Sequence, residues 1–137
     1  MTVIEGIINF LGGYEKERIG VDKLESRTVS YSLMKAPQEN VKYYINGVEI
    51  HTNYYQLMAR LDAKSEQERI ANNAWGQGIA EWISQKNREK QYPVLDGYRC
   101  TGISVSTPFY INVTDNSNAV YQMTIAIEYE YVKENET

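Results

Sequence analysis

The segment Val41–Thr52, VKYYINGVEIHT, decides the fold because it contains the strongest local structural signal in the chain. Its central dipeptide, Asn46-Gly47, lies between two segments of alternating apolar and polar residues. Both residues tolerate a positive φ, and the pair is typical of the two-residue type I′ turn. Such a turn pairs Tyr43 with Ile50 and makes one face of the two strands apolar throughout. The segment therefore predicts an antiparallel β-hairpin.

Alternation continues on both sides of this hairpin. Upstream, residues 28–36 alternate as a half-buried strand does, and Pro37 is expected to end that strand. Downstream, the apolar positions change parity at 55–61, which indicates either a bulge or a strand that leaves one sheet environment for another. We therefore expect the hairpin tip to project beyond the core. Two further strands and the polar turn between them are predicted at 98–106, 119–132 and 114–118.

Two helices are predicted, and each begins with a capping box, in which a Ser or Thr is followed three residues later by Glu. The first helix is predicted at 3–11, where Gly12-Gly13 ends it in a left-handed conformation. The second is predicted at 66–90, where the apolar residues keep a period of 3.6. Residues 14–27 have no clear period and are interpreted as an exposed connection.

This order of elements predicts one domain, residues 1–137, of the α+β class. We expect a mostly antiparallel sheet with two helices packed on one face and a projecting β-hairpin.

Composition and charge exclude several classes of function. The 137 residues have a formal net charge of −4, which is unfavourable for tight binding to a phosphate backbone. Cys100 and His51 are the only residues of their types, so the chain has neither an internal disulfide nor a Cys/His zinc site. No apolar run is long enough for a membrane span, and the N-terminus does not resemble a signal peptide. We therefore expect a soluble intracellular protein.

The sequence offers little for catalysis. His51 would have to be the base of any Ser-His or Cys-His arrangement, yet it lies on the polar face of the hairpin and is expected to be solvated. Cys100 is interpreted as a small buried apolar residue. No glycine-rich phosphate loop opens a helix. The prediction is a protein without catalytic activity, cofactor or metal.

Tyrosine is the unusual component, with 12 residues. A tyrosine buries a large area and keeps a polar tip, so it is favoured at protein–protein contacts. Strand parity predicts four of them on apolar faces, namely Tyr31, Tyr43, Tyr121 and Tyr129. A projecting hairpin is a natural device for contacting a neighbour. The candidate subunit interface consists of Tyr44, Glu49, His51 and Tyr54.

The sequence resembles the minor capsid or tail-terminator proteins of tailed bacteriophages, especially a group from phages of Gram-positive bacteria. The resemblance covers about residues 25–132 and is most specific in the stretch from the second helix to the proline that follows it. The segments that carry it are Val29–Leu33 followed by Pro37, Tyr55–Leu57, Trp82–Arg88, Tyr92–Leu95 and Tyr121–Ile125.

The resemblance implies an α+β fold with helices packed on a sheet, and a structural function without catalysis. Tail terminators form a hexameric ring at the head-proximal end of the tail tube, where they end tube assembly and provide the surface for the head connector. The implied partners are other copies of the chain, the tail tube protein and head-connector proteins. DNA passes through such a ring without specific binding, which fits the acidic balance of the chain. The implied location is the virion neck, and the host cytoplasm during assembly.

Two alternatives remain open. One is another neck component, such as a head-completion protein. The other is a small ligand-binding or enzymatic α+β domain whose pocket lies between the sheet and the second helix.

Overall fold

The computed structural model describes residues 2–115 and 117–132. Its two helices are α1 (Val3–Leu11) and α2 (Glu66–Arg88). Its strands are β1 (Ile19–Val21), β2 (Ser30–Tyr43), β3 (Val48–Asp62), β4 (Arg99–Thr114) and β5 (Asn118–Val132).

The strands form one five-stranded sheet in the order β1-β2-β3-β5-β4. β1 runs parallel to β2, and every other neighbouring pair is antiparallel. The central pair, β3 and β5, keeps one register without a shift from Val48 opposite Val132 to Asp62 opposite Asn118. The predicted α+β class with a mostly antiparallel sheet is confirmed.

Both helices pack on the same face of this sheet. The capping boxes of Thr2 and Ser65 are both present and start the helices at the predicted residues. Buried apolar side chains from α1 and α2 meet the odd-numbered side chains of β3 and β5, because alternate residues of a strand share a face. The buried core includes Ile7, Leu11, Tyr55, Leu57, Ile79, Ile83, Tyr121, Met123, Ile125 and Ile127.

A layer of aromatic rings fills the space between α2 and the sheet. Trp75 stacks on Tyr31, with ring centroids 5.2 Å apart, and Phe109 stacks on Tyr121 at 4.9 Å. Phe109 also lies directly against the backbone of Gly76, where a Cβ atom would overlap its ring. Glycine has a low helix propensity and is disfavoured in the middle of a helix. Here it is required, because the Phe109 ring leaves no room for a side chain at position 76.

The hairpin forms, but its predicted turn type is wrong. Tyr44 and Val48 close a three-residue loop, in which the Gly47 N–H donates to Tyr44 O (3.0 Å) and the Tyr44 N–H donates to Val48 O (3.0 Å). Gly47 alone of the loop residues has a positive φ, 86°. This is a type I turn followed by a glycine bulge, and it places Tyr43 opposite Glu49 instead of Ile50.

Of the two expected causes of the parity change in the second arm, the structure shows the change of sheet environment and no bulge in β3. β3 is continuous, and the irregularity lies in β2, where residues 36–38 face a single residue of β3. Pro37 therefore does not end the strand, because it lies within this irregularity, where a missing N–H does not interrupt the regular ladder. The apolar positions of β3 change parity because α2 covers only part of the strand. Asn87, near the end of α2, accepts the Ile103 N–H at 3.1 Å, and the sheet extends beyond that level.

Other expectations need correction as well. Residues 14–27 contain β1, whose Ile19 and Gly20 are buried, so they are not wholly an exposed connection. Gly12 caps α1 in a right-handed conformation, with φ −59°, and the predicted left-handed end is wrong. The second helix ends at Arg88, and β4 continues past 106 to Thr114. In the polar turn Asp115 donates its N–H to Asn118 O at 2.8 Å, and residue 116 lies outside the described residues.

A glycine-to-alanine change at position 76 should destabilise the protein. In an exposed helix this change stabilises by about 1 kcal/mol, but here the new methyl group meets the Phe109 ring. We expect a loss of about 1–3 kcal/mol in the free energy of unfolding, measured by urea denaturation. The exposed neighbour gives the control, since Gln77→Ala should change stability by less than about 0.5 kcal/mol. A stabilised Gly76→Ala variant would contradict the packing described.

Alkaline pH should destabilise the protein through Tyr31. Burial, and secondarily the charge of Glu15, raise the pKa of this phenol well above its ordinary value. The unfolded chain then loses the proton near pH ~10 while the folded chain keeps it, so stability falls as pH rises above ~10. Denaturant titrations at a series of pH values should show a shallower fall for Tyr31→Phe than for the natural chain. A slope for Tyr31→Phe identical to that of the natural chain would refute this assignment.

Candidate functional site

The hairpin tip, which we define as Tyr43, Tyr44 and Ile45, is the most exposed apolar surface that the described residues present. Tyr43 is 75% exposed and Tyr44 53% exposed, and Ile45 is fully exposed at the corner of the turn. Tyr43 was predicted on the apolar face. It does lie on the side of the sheet that carries the helices, but α2 ends before it and leaves the ring uncovered. The backbone hydrogen bonds of the turn hold these side chains outward at the end of the sheet.

Glu49 and His51, two of the four predicted interface residues, contact each other at the base of this tip. His51 Nε2 lies 3.1 Å from Glu49 Oε1, and its Nδ1 lies 3.8 Å from a carboxylate oxygen of Glu39 on the neighbouring strand. The His51 side chain is 18% exposed. The expectation of a solvated histidine is therefore wrong, because strand β5 supplies an aromatic cover that parity alone did not reveal.

That cover consists of tyrosine rings. His51 stacks on Tyr129, with centroids 5.3 Å apart and planes 11° apart, and Tyr131 meets its edge. Tyr129 accepts a hydrogen bond from Asn53 Nδ2 at 3.1 Å and packs against Tyr98 at 4.8 Å. Burial raises the pKa of the Tyr129 phenol, and Asn53 opposes that shift. The cluster joins β2, β3 and β5, so it stabilises the base of the tip.

Tyr54, the fourth predicted residue, lies on the opposite face of the sheet. Its hydroxyl accepts a hydrogen bond from Asn40 Nδ2 at 3.1 Å. There it lines a shallow groove of about 560 Å³ whose walls are amide, hydroxyl and tyrosine side chains. The lining residues are Gln38, Asn40, Tyr54, Gln56, Ser106, Thr107, Tyr110, Gln122 and Thr124, and none of these is charged. The structure thus separates Tyr54 from Glu49 and His51.

Further exposed apolar residues lie where the sequence analysis predicted no strand. Tyr110, Ile111 and Val113 lie in the last part of β4. They do not form one surface, because Tyr110 lines the groove on the open face and Ile111 pairs with Tyr121 on the helical face. Val113 is 56% exposed, and the other two are similarly exposed. Repeated register shifts between β4 and β5 bring these residues out of the regular alternation. The signal in the sequence was the dense apolar run after Pro108, which the prediction cut off at 106.

Apart from the contact of His51 with Glu49 and Glu39, the groups that could support chemistry are dispersed among the described residues. Glu130 pairs with Arg99 at 2.7 Å, and Glu128 accepts a hydrogen bond from Thr101 at 2.9 Å. Burial raises the pKa of the Cys100 thiol, which disfavours the reactive thiolate. Within residues 2–115 and 117–132, no three His, Cys, Asp or Glu side chains are grouped so that they could hold a metal ion. Neither described helix has the length and apolar character needed to cross a bilayer.

Substitutions at His51 and at the tip should differ in how far they destabilise the monomer. His51→Asp brings a third carboxylate beside Glu49 and Glu39, so we expect a loss of about 1–3 kcal/mol in the free energy of unfolding. Tyr44→Asp changes an exposed side chain and should cost less than about 0.5 kcal/mol. Urea denaturation of dilute protein measures both. Equal losses would show that the cluster around His51 does not stabilise the hairpin.

Comparison with known proteins adds no relative from which function could be transferred. The sequence matches no protein-family model and no curated protein.

Proposed function

We propose that this protein is a structural subunit of a bacteriophage neck, a minor capsid or tail-terminator protein that forms a homo-oligomeric ring at the head–tail junction. The observation that carries the proposal is the hairpin tip. Three large side chains, Tyr43, Tyr44 and Ile45, are exposed together at one end of a regular sheet. Aromatic residues anchored on a rigid scaffold are typical of the centres of protein–protein interfaces.

The remaining features support a structural function. Around Trp75 the space between α2 and the sheet is filled by rings, such as the Trp75–Tyr31 stack, where the enzymatic alternative would need a pocket. Among the described residues, an open cleft of about 320 Å³ lies at the end of α2, between Asn87 and Glu128. The resemblance to tail terminators supplies the type of assembly and the other partners, which are the tail tube protein and the head-connector proteins. In the proposed role the ring ends tube polymerisation, docks the head connector and belongs to the virion.

The charge distribution supports passage of DNA without binding. The chain has a net charge of −4, and the residues of the groove on the open face of the sheet are uncharged. Tight binding to duplex DNA requires clustered Lys and Arg that neutralise phosphates. A ring built from this chain would therefore let DNA pass, and we propose no specific nucleic-acid contact.

The proposal is tested by assembly. At micromolar concentration, native mass spectrometry should detect a ring-sized oligomer, and addition of the protein to polymerising tail tube protein should arrest tube growth, as seen by electron microscopy. Ile45→Asp should weaken self-association at least about tenfold, because it places a charge in the contact. Val94→Asp is the matched control, since Val94 is an apolar residue that is 75% exposed and lies outside the tip.

Two results would count against the proposal. A strict monomer that leaves tube growth unchanged would contradict the ring-forming function. A protein that binds heads but does not arrest tubes would identify a head-completion protein instead.

A further inference from the structure

We infer that the shallow groove on the open face of the sheet, where Tyr54 lies, is a binding site for a neutral oligosaccharide. The inference goes beyond the proposed ring and does not depend on it, because the groove includes none of the hairpin-tip residues. The shape of the groove, its unpaired polar groups and the chemistry of its lining all point to that class of ligand.

The groove has a regular floor and irregular walls. The floor is the β3–β5 pair, where Gln56 lies opposite Thr124 in an unbroken register. One wall is the irregular part of β2 that contains Gln38. The other wall is the part of β4 at 105–110, where two register shifts occur and Tyr110 enters the groove. Bulged strands are frequent next to active sites because they redirect side chains, and here such irregularities bound the groove on both sides.

The polar side chains of the floor lack partners within the part of the chain that the structure describes. Gln56, Thr124 and Thr107 form a row across β3, β5 and β4, and all three are half-buried. None of these side chains makes a hydrogen bond to another described residue. Gln122 accepts a hydrogen bond from Asn112 Nδ2 at 3.1 Å through its Oε1, which leaves its amide N–H groups to donate. A ligand that pairs with half-buried amides and hydroxyls gains free energy from each such bond.

Two tyrosines lie at diagonally opposite corners of the groove. Tyr54 lies on β3 opposite Ala126, and Asn40 Nδ2 donates to its hydroxyl at 3.1 Å. Tyr110 lies on β4 opposite Gln122 and is 43% exposed. Because these two levels are separated by four residues of β5, they are roughly 14 Å apart along the strand. That length accommodates a short oligosaccharide with a tyrosine near each end.

The composition of the lining selects a neutral ligand that is rich in hydroxyl groups. None of the groove residues is charged, so a phosphate or carboxylate would lose water without gaining an ionic partner. An aliphatic ligand would leave the amides and hydroxyls unpaired. Sugar rings present hydroxyls that amides can both donate to and accept from, and they present C–H faces that pack on tyrosine. Neutral saccharides therefore satisfy both the polar and the aromatic parts of the lining.

The charged residues of the open face lie at the margins of the groove. The first one along each strand is Lys42 on β2, Arg60 on β3, Arg99 on β4 and Glu128 on β5. The last three each have a hydrogen-bond or ion-pair partner in the protein. The other charged residues of β2, Lys35 and Glu39, pair with residues of the helical face. The margins thus have mixed charge, without a patch of one sign that would attract an ionic ligand.

Ligand-observed NMR tests the site with three neutral trisaccharides, maltotriose, cellotriose and triacetylchitotriose. Saturation transfer from the protein should reach at least one of them, and binding should be insensitive to salt because no ionic contact forms. The charged trisaccharide trigalacturonate should bind at least about tenfold more weakly. Absence of transfer to all three neutral sugars, or tighter binding of trigalacturonate, would overturn the inference.

Matched variants locate the binding in the groove. Gln56→Ala and Tyr110→Ala should each weaken binding of the neutral trisaccharide about three- to tenfold. Gln77→Ala, on the exposed side of α2, and Tyr44→Ala, in the hairpin tip, should leave its affinity unchanged. Urea denaturation verifies that the groove variants remain folded. Affinities in both groove variants equal to that of the natural chain would show that the sugar binds elsewhere, and would overturn the assignment.

The same variants separate this inference from the proposed function. Ile45→Asp should reduce self-association and leave sugar binding unchanged, whereas Gln56→Ala should do the reverse. A chain that assembles but binds no neutral sugar overturns the groove assignment alone. A sugar-binding chain that stays monomeric and does not arrest tail tubes overturns only the ring.

Discussion

The pairing of β3 with β5 is the constraint on which the rest of the structure depends. Its register has no shift along the whole of both strands, so the odd-numbered residues of each stay on the helical face from end to end. Both helices, the aromatic layer and the uncharged groove take their positions from that division. The same pairing extends beyond the end of α2 and supports the base of the hairpin. Because the sheet end is held in this way, the exposed tip would lose little conformational freedom on binding a partner.

Much of the fold could be predicted because its signals are local. Capping boxes at Thr2 and Ser65 located both helix starts, and strict alternation at 119–132 located β5. The errors arose where tertiary contacts determine the turn type, the register or the presence of a strand. Asn46-Gly47 is compatible with two turn types that differ by one residue in register, and the choice between them depends on how β2 and β3 meet the rest of the sheet. β1 is too short to carry a pattern, and it is held by pairing with β2.

The sequence placed only some of the candidate residues correctly. The hairpin was predicted to be the contact region, and Tyr44 is exposed there. The alternation of residues along the strand could not predict the burial of His51, because that burial comes from Tyr129 and Tyr131 on a strand about 80 residues away in sequence. Nor could it place Tyr54, which lies on the opposite face with the groove. The last part of β4 was missed because register shifts in this strand break the alternation on which strand prediction relies.

The central claim is that the exposed apolar residues of the hairpin tip are a surface by which copies of this chain assemble. Amide hydrogen exchange, measured on dilute and concentrated protein by mass spectrometry, tests it most directly. We predict concentration-dependent protection in segment 42–48, with little change in the amides of α1. Protection confined to other segments, or exchange that does not depend on concentration, would contradict it.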